Sequence, residues 1–215
     1  MYLTRRLIVL AALLTVGFEP GIPCAAAQGE PRIQQLFRQL QSAQTSDEAA
    51  MKLLDLGNAD ASARRFLAAH LPVLIDADPR DRRPDRTTTF RPEWCDAARL
   101  AGGLRLVEAA PALVKWISYR TSSLMTSSRA EGLTTSPAGT ALLQIGDAAI
   151  PALRQVLKQS ESKPNMDATY ALIQMNSPRA RAVLRDYAAR VQNAEVREFI
   201  HNRLEAEERE NHQLR

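Results

Sequence analysis

Apolar residues recur at helical spacing in matched segments of this chain, and this repetition limits its possible folds more than any other feature. Segments 138–145 and 150–157 each carry one apolar stripe, with residues spaced as on one face of a helix. The same two-stripe pattern returns in 168–187 and stands earlier in 97–117. Such repeats predict helix pairs stacked around one continuous core. The stripe residues of the first pair named are Ala138, Ala141, Leu142, Ile145, Ile150, Leu153 and Leu157.

Several helix ends are marked by residues that favour turns. Gly146 is placed to end one helix, and Asp147 to cap the next. Ser177 stands before a proline, which is typical of a helix N-cap followed by the first helical residue. Thr45 and Glu48 have the spacing of a capping box. We therefore expect an all-α fold with no sheet. The helix pairs are predicted over about 46–77, 93–121, 137–159 and 165–192, and single terminal helices over about 31–43 and 194–212.

Residues 141–159 (ALLQIGDAAIPALRQVLKQ) resemble a HEAT-like repeat, of the short type also found in phycobilin-lyase proteins. Residues 97–117 resemble a second copy, 168–188 a weaker third and 49–75 a degenerate fourth. The resemblance implies an α-solenoid of about four helix pairs, with one capping helix at each end, that binds other proteins. Lyase members would imply a tetrapyrrole ligand, but no residue of this chain points to one, so we expect no cofactor.

The first 27 residues have the layout of a secretory signal peptide. Arg5 and Arg6 precede an uncharged run, 7–18, which is too short to cross a bilayer, and alanines before position 28 predict cleavage after residue 27. An uncleaved anchor, or a lipoprotein acylated on Cys24, is the alternative. We therefore expect residues 28–215 to form one exported domain, periplasmic or secreted.

Charge and motifs argue against nucleic-acid binding and against catalysis. The 28 basic and 24 acidic residues leave a net charge of +4, a small surplus for a protein that grips phosphate backbones. The chain has no Gly-x-Ser-x-Gly, His-Glu-x-x-His, Walker or Gly-x-Gly-x-x-Gly motif. Its histidines, His70, His201 and His212, are isolated, which predicts no metal site. We expect no catalytic activity.

Two segments interrupt the repeats. Residues 78–92 hold five arginines, three aspartates and three prolines, so a helix is not expected there. Arg82, Arg83 and Arg86 are candidate contacts to an acidic partner or, weakly, to an anionic membrane surface. A solvated loop with local Arg–Asp pairs is the plainer interpretation. Residues 121–136, rich in Ser and Thr, form the second interruption and lengthen the repeat spacing from about 30 to about 40 residues.

A mixed basic and aromatic group ends one predicted second helix: Lys115, Trp116, Tyr119 and Arg120. Such residues are enriched at interface hot spots, although Trp116 would equally suit the core. The favoured function is an exported protein–protein interaction scaffold that binds along its second helices. The alternative is a small enzyme or ligand-binding protein whose site is built from 78–92, 121–136 and Cys95. Cys95 is a candidate nucleophile or intermolecular bridge, and a small buried residue at the start of a helix is the plainer interpretation.

Overall fold

The structure is a computed structural model of the chain. The described residues are 29–82, 88–120, 136–159 and 163–213. The predicted signal peptide with Cys24 lies outside them, as do Arg83 and Arg86 and all but the last residue of the predicted insertion 121–136.

Helices make up most of the described structure, and the prediction of an all-α fold class is confirmed at this level. Two of the helices, those that begin at Ala110 and at Ile150, are each preceded by a 3-10 turn, Val107–Ala109 and Gly146–Ala149. The helices are α1 Gly29–Leu40, α2 Ser46–Ala59, α3 Ala61–Asp76, α4 Pro92–Gly103, α5 Ala110–Lys115, α6 Pro137–Ile145, α7 Ile150–Leu157, α8 Lys163–Met175, α9 Pro178–Ala188 and α10 Ala194–Gln213.

A short antiparallel hairpin stands between α3 and α4, and the expectation of no sheet is wrong at this point. Strand β1, Arg80–Arg82, pairs with β2, Thr88–Phe90. Two threonines and a phenylalanine favour the extended backbone of β2, while the prolines of the segment exclude a helix. At the base of the hairpin, the Arg91 N–H donates to the Pro79 carbonyl oxygen at 3.1 Å.

The helices contact one another in two rows. Helices α2, α4, α6 and α8 pack in succession, and so do α3, α5, α7 and α9. Contacts of α3 with α4, α5 with α6 and α7 with α8 join the two rows. Helix α1 packs on α2 at one end, and α10 packs on α9 at the other. The buried apolar side chains form one cluster, which extends from Ile33 in α1 to Leu204 in α10.

The backbones of α4 and α6 approach each other closely at Gly102. A Cβ atom at this position would lie 2.7 Å from the Ala141 Cα and 2.3 Å from the Gln144 Oε1. Real side chains do not tolerate such distances, so only glycine lets the two helices pack this closely. The apolar stripe of α6, with Ala138 and Leu142 fully buried, is thereby pressed against α4.

The predicted helix caps are only partly present. The Ser177 hydroxyl accepts from the Ala180 N–H at 3.1 Å, which confirms that cap. The capping box is wrong, because the Thr45 hydroxyl donates to the Gln39 carbonyl oxygen at 2.7 Å and caps nothing. The cap assigned to Asp147 is also wrong, because this residue lies inside a 3-10 turn that runs directly into α7.

Candidate functional site

The predicted group at the end of α5 lies between α3 and the base of the hairpin. The Lys115 Nζ contacts the Asp76 Oδ1 at 3.0 Å and lies 5.4 Å from the centre of the Trp116 ring. The Arg80 guanidinium stands 6.0 Å from the same ring. Trp116 is half-buried, and its indole N–H has no hydrogen-bond partner among the described residues. Two cations therefore flank an aromatic ring whose donor is unused.

Tyr119 and Arg120 point their polar atoms into the protein. The Tyr119 hydroxyl donates to the Pro79 carbonyl oxygen at 3.2 Å, and its ring packs edge-on against Trp94 with centroids 5.6 Å apart. The Arg120 guanidinium donates to the Ile117 carbonyl oxygen and to the buried Asp167 carboxylate, each at 2.7 Å. Both side chains thus hold the fold together at this corner, and their predicted role in partner binding stays a prediction.

The arginine segment is described only in part. Arg82 lies in β1, where its backbone is the register partner of Thr88. Arg83 and Arg86 lie outside the described residues. Contact of 78–92 with an acidic partner or an anionic membrane therefore stays a prediction.

Cys95 lies in the first turns of α4 and is half-buried. Burial raises the pKa of its thiol to about 11, and the negative charges of Asp96 and Glu93 add to this shift. Burial also raises the pKa of the neighbouring Tyr119 phenol. A cysteine nucleophile needs the opposite environment, one that stabilises the thiolate. Within the described part of the chain, no three His, Cys, Asp or Glu side chains are grouped so as to hold a metal ion.

We predict that Cys95 reacts slowly with iodoacetamide in the folded protein. At pH 8 a pKa near 11 leaves about a thousandth of the thiol ionised, against about a quarter for a free cysteine. The more basic thiolate is about tenfold more nucleophilic, and this offsets part of the loss in thiolate fraction. The reaction should therefore be about 20-fold slower than that of a free cysteine, and burial should slow it further. Mass spectrometry of the peptide that contains Cys95 measures the rate. A denaturant should restore the rate of a free cysteine, and an equally fast reaction without denaturant would contradict the prediction.

A groove of about 670 Å³ runs between α5 and α7, and we name it the apolar groove. Lys115, Gln155 and Gln159 supply the polar side chains among the residues that line it. Val107, at its edge, is 44% exposed. The walls are otherwise apolar, with Val107, Pro111 and Val114 from the α5 side and Pro151, Ala152 and Val156 from α7.

The sequence carried a signal for this groove. Helices α5 and α7 each carry Pro-Ala-Leu directly after their first residue, at 111–113 and at 151–153. The leucines of these triplets, Leu113 and Leu153, are fully buried, while the prolines Pro111 and Pro151 are exposed and face the groove from opposite sides. From the sequence alone these triplets indicate repetition and helix packing, and nothing in them shows that the repeated prolines lie on an exposed surface.

A second groove, of about 450 Å³, lies between α7 and α9, and we name it the basic groove. Arg154, Lys158 and Arg179 line it together with apolar residues, and no acidic residue lines either groove. Pro151 and Gln155 belong to both grooves, so the two are adjacent across α7.

No family model, no curated protein and no solved structure matches this chain.

In the basic groove, Arg154 forms an ion pair that is exposed to solvent. Arg154 contacts the Asp186 carboxylate at 3.3 Å, and Arg190 contacts the same carboxylate at 3.1 Å. Although slight burial raises the pKa of Asp186, the hydrogen bonds from Arg190 and Arg154 outweigh it and lower the pKa. Ion pairs this exposed contribute little to stability, so Arg154 is available to another carboxylate.

Proposed function

We propose that the chain is an exported protein–protein interaction scaffold, built as an α-solenoid of four HEAT-like helix pairs. The pairs are α2/α3, α4/α5, α6/α7 and α8/α9, with α1 and α10 as capping helices. The two rows of successive helix contacts support this architecture, because stacked repeats contact mainly their sequence neighbours.

One observation carries the proposed function: the apolar groove between α5 and α7. Its walls expose valine, proline and alanine to solvent in a channel of about 670 Å³, large enough for several side chains of a partner. Exposed apolar surface arranged in one channel marks an interaction site more often than scattered single residues do. The channel lies on the row of second helices, the surface that stacked helix pairs commonly present to partners.

Export is part of the proposal and rests on the predicted signal peptide, 1–27. Cleavage would release a domain that begins near α1. Among the described helices, none is long and apolar enough to cross a membrane.

Site-specific photo-crosslinking in the producing cells tests the proposal. A photoreactive amino acid is placed at Gln155 or at Arg179, both exposed on the second-helix row. Control positions are Asp55 and Gln144, which are exposed on the first-helix row. We expect the same discrete crosslinked partner from both second-row positions and no such product from the controls.

The proposed function would be contradicted by crosslinks of equal yield from both rows, or by no crosslink above background at either second-row position. Cell fractionation in the same experiment checks the location. The crosslinked product should appear outside the cytoplasm, and retention of the chain in the cytoplasm would remove export from the proposal.

A further inference from the structure

We propose that the partner presents an acidic segment with an apolar anchor residue, which lies across α7 so that the anchor enters the apolar groove and its carboxylates meet the basic groove. This inference rests on the proposed scaffold function and names the chemistry of the partner. Two adjacent grooves carry it: they share a wall at α7, one is lined mainly by apolar residues, and the other adds three cations to its apolar residues.

The apolar groove has room for an aliphatic or aromatic anchor. Among its lining residues, the cation Lys115 and the two glutamines are the polar ones, so burial of an apolar side chain meets little competing polar surface. Val107 and Pro111 are exposed in the free protein, so a partner that covers them removes apolar surface from water. Removal of this apolar surface from water favours binding, before the costs of association are subtracted.

The basic groove selects negative charge. Arg154, Lys158 and Arg179 are all exposed, and no carboxylate among the lining residues competes for them. Within the described part of the chain, neither Lys158 nor Arg179 forms an ion pair. An arriving carboxylate therefore meets Lys158 and Arg179, and it also meets Arg154, whose exposed ion pair with Asp186 it would share or replace. The two arginines provide planar donors suited to bidentate hydrogen bonds.

The same residues favour a protein segment over nucleic acid or a membrane. No aromatic side chain lines either groove, so unpaired bases would find no stacking surface. A membrane surface is broad and binds apolar side chains that protrude, whereas these grooves are concave. A peptide segment has both the side chains and the width that such grooves accept.

Helix spacing sets the separation of anchor and carboxylates along the segment. Neighbouring packed helices lie about 8–10 Å apart, so the grooves on the two sides of α7 are separated by a similar distance. An extended chain advances about 3.3 Å per residue. The recognised segment should therefore carry an apolar residue and, about three residues away, one or more Asp or Glu residues.

Selection from a phage-displayed library of random 12-residue peptides tests this inference on the purified exported protein. We expect enrichment of an apolar residue about three positions from Asp or Glu. The variant R154E/K158E/R179E should enrich Lys or Arg at the acidic positions instead, and should bind the peptides selected by the wild type at least about tenfold more weakly.

Matched variants separate the grooves from general charge effects. Arg32, Arg38 and Lys52 are exposed on α1 and α2, so R32E/R38E/K52E changes the net charge equally but should leave peptide binding unchanged. In the apolar groove, Val107→Asp should weaken binding at least about tenfold. Val73→Asp, at a 74% exposed position on α3 outside both grooves, should not.

Enriched peptides without acidic residues, or peptides whose binding the groove variants do not weaken, would overturn the inference. Self-association of the chain that the R154E/K158E/R179E variant abolishes, without any acidic peptide bound, would overturn it in favour of a second copy as the occupant. The proposed scaffold function is judged separately by the crosslinks. A crosslinked partner combined with a non-acidic peptide motif refutes only the acidic character assigned to the partner and leaves the scaffold function standing.

Discussion

Replacing Leu142 by aspartate is expected to lower the free energy of unfolding by about 5 kcal/mol or more. Leu142 is fully buried in α6, the helix that contacts α4, α5 and α8. The substitution removes an apolar side chain from this junction and places a carboxylate within the apolar core. Such a loss approaches the whole stability of a typical domain, about 5–15 kcal/mol, so the variant should be largely unfolded.

Circular dichroism during urea unfolding measures the effect, with Gln144→Asp as the matched control. Gln144 lies on the same helix two residues later and is exposed. The Gln144→Asp variant carries the same charge in the same turn, but its urea midpoint should lie close to that of the wild type. If the two variants unfold alike, position 142 does not lie in the common core and the predicted stripe of α6 is misplaced.

The helical class was predictable because the apolar stripes have the helical period, and most of their residues are buried. All four stripe residues of α6, from Ala138 to Ile145, are buried. Their counterparts in α4 and at its C-cap, from Ala97 to Leu104, are buried too. A period of this kind depends only on neighbours three or four residues away, which sequence shows directly.

Features that depend on distant residues could not be predicted in the same way. The hairpin depends on pairing between 80–82 and 88–90, which are separated in sequence. Segment 78–92 was interpreted from its charges and prolines alone, and these do not show strand pairing. The caps expected at Thr45 and Asp147 failed because other geometry was available: a carbonyl in α1 for the threonine and a 3-10 turn for the aspartate. Local sequence shows which residues can cap, but packing decides which do.

In the candidate site, too, local sequence predicted the residue types but not the contacts between distant residues. The group at Lys115, Trp116, Tyr119 and Arg120 was found by residue type, yet the structure places two of its members in internal contacts. The two grooves arise between helices 40 and about 30 residues apart in sequence, so no local pattern outlines them. Only the repeated prolines at 111 and 151 marked their position.

The ion pair between Arg120 and Asp167 cannot be seen in the local sequence, and its loss is expected to be the second large effect. The two residues are 47 positions apart, and their side chains are 21% and 6% exposed. The Ser118 hydroxyl donates to the other carboxylate oxygen at 2.5 Å. Asp167 thus satisfies two donors at the corner where α5 ends and α8 passes.

We therefore expect Asp167→Ala to lower the free energy of unfolding by about 3 kcal/mol, because it leaves a guanidinium and a hydroxyl without their partner in a largely buried place. Asp186→Ala is the control, since Asp186 pairs with two arginines on the surface and solvent replaces it there. In urea unfolding, the free energy of unfolding of the control should be close to that of the wild type, and that of Asp167→Ala should be much lower. Equal stability of the two variants would mean that solvent reaches Arg120 freely. In that case the Arg120 side chain would be available to a partner, as the sequence predicted from its residue type.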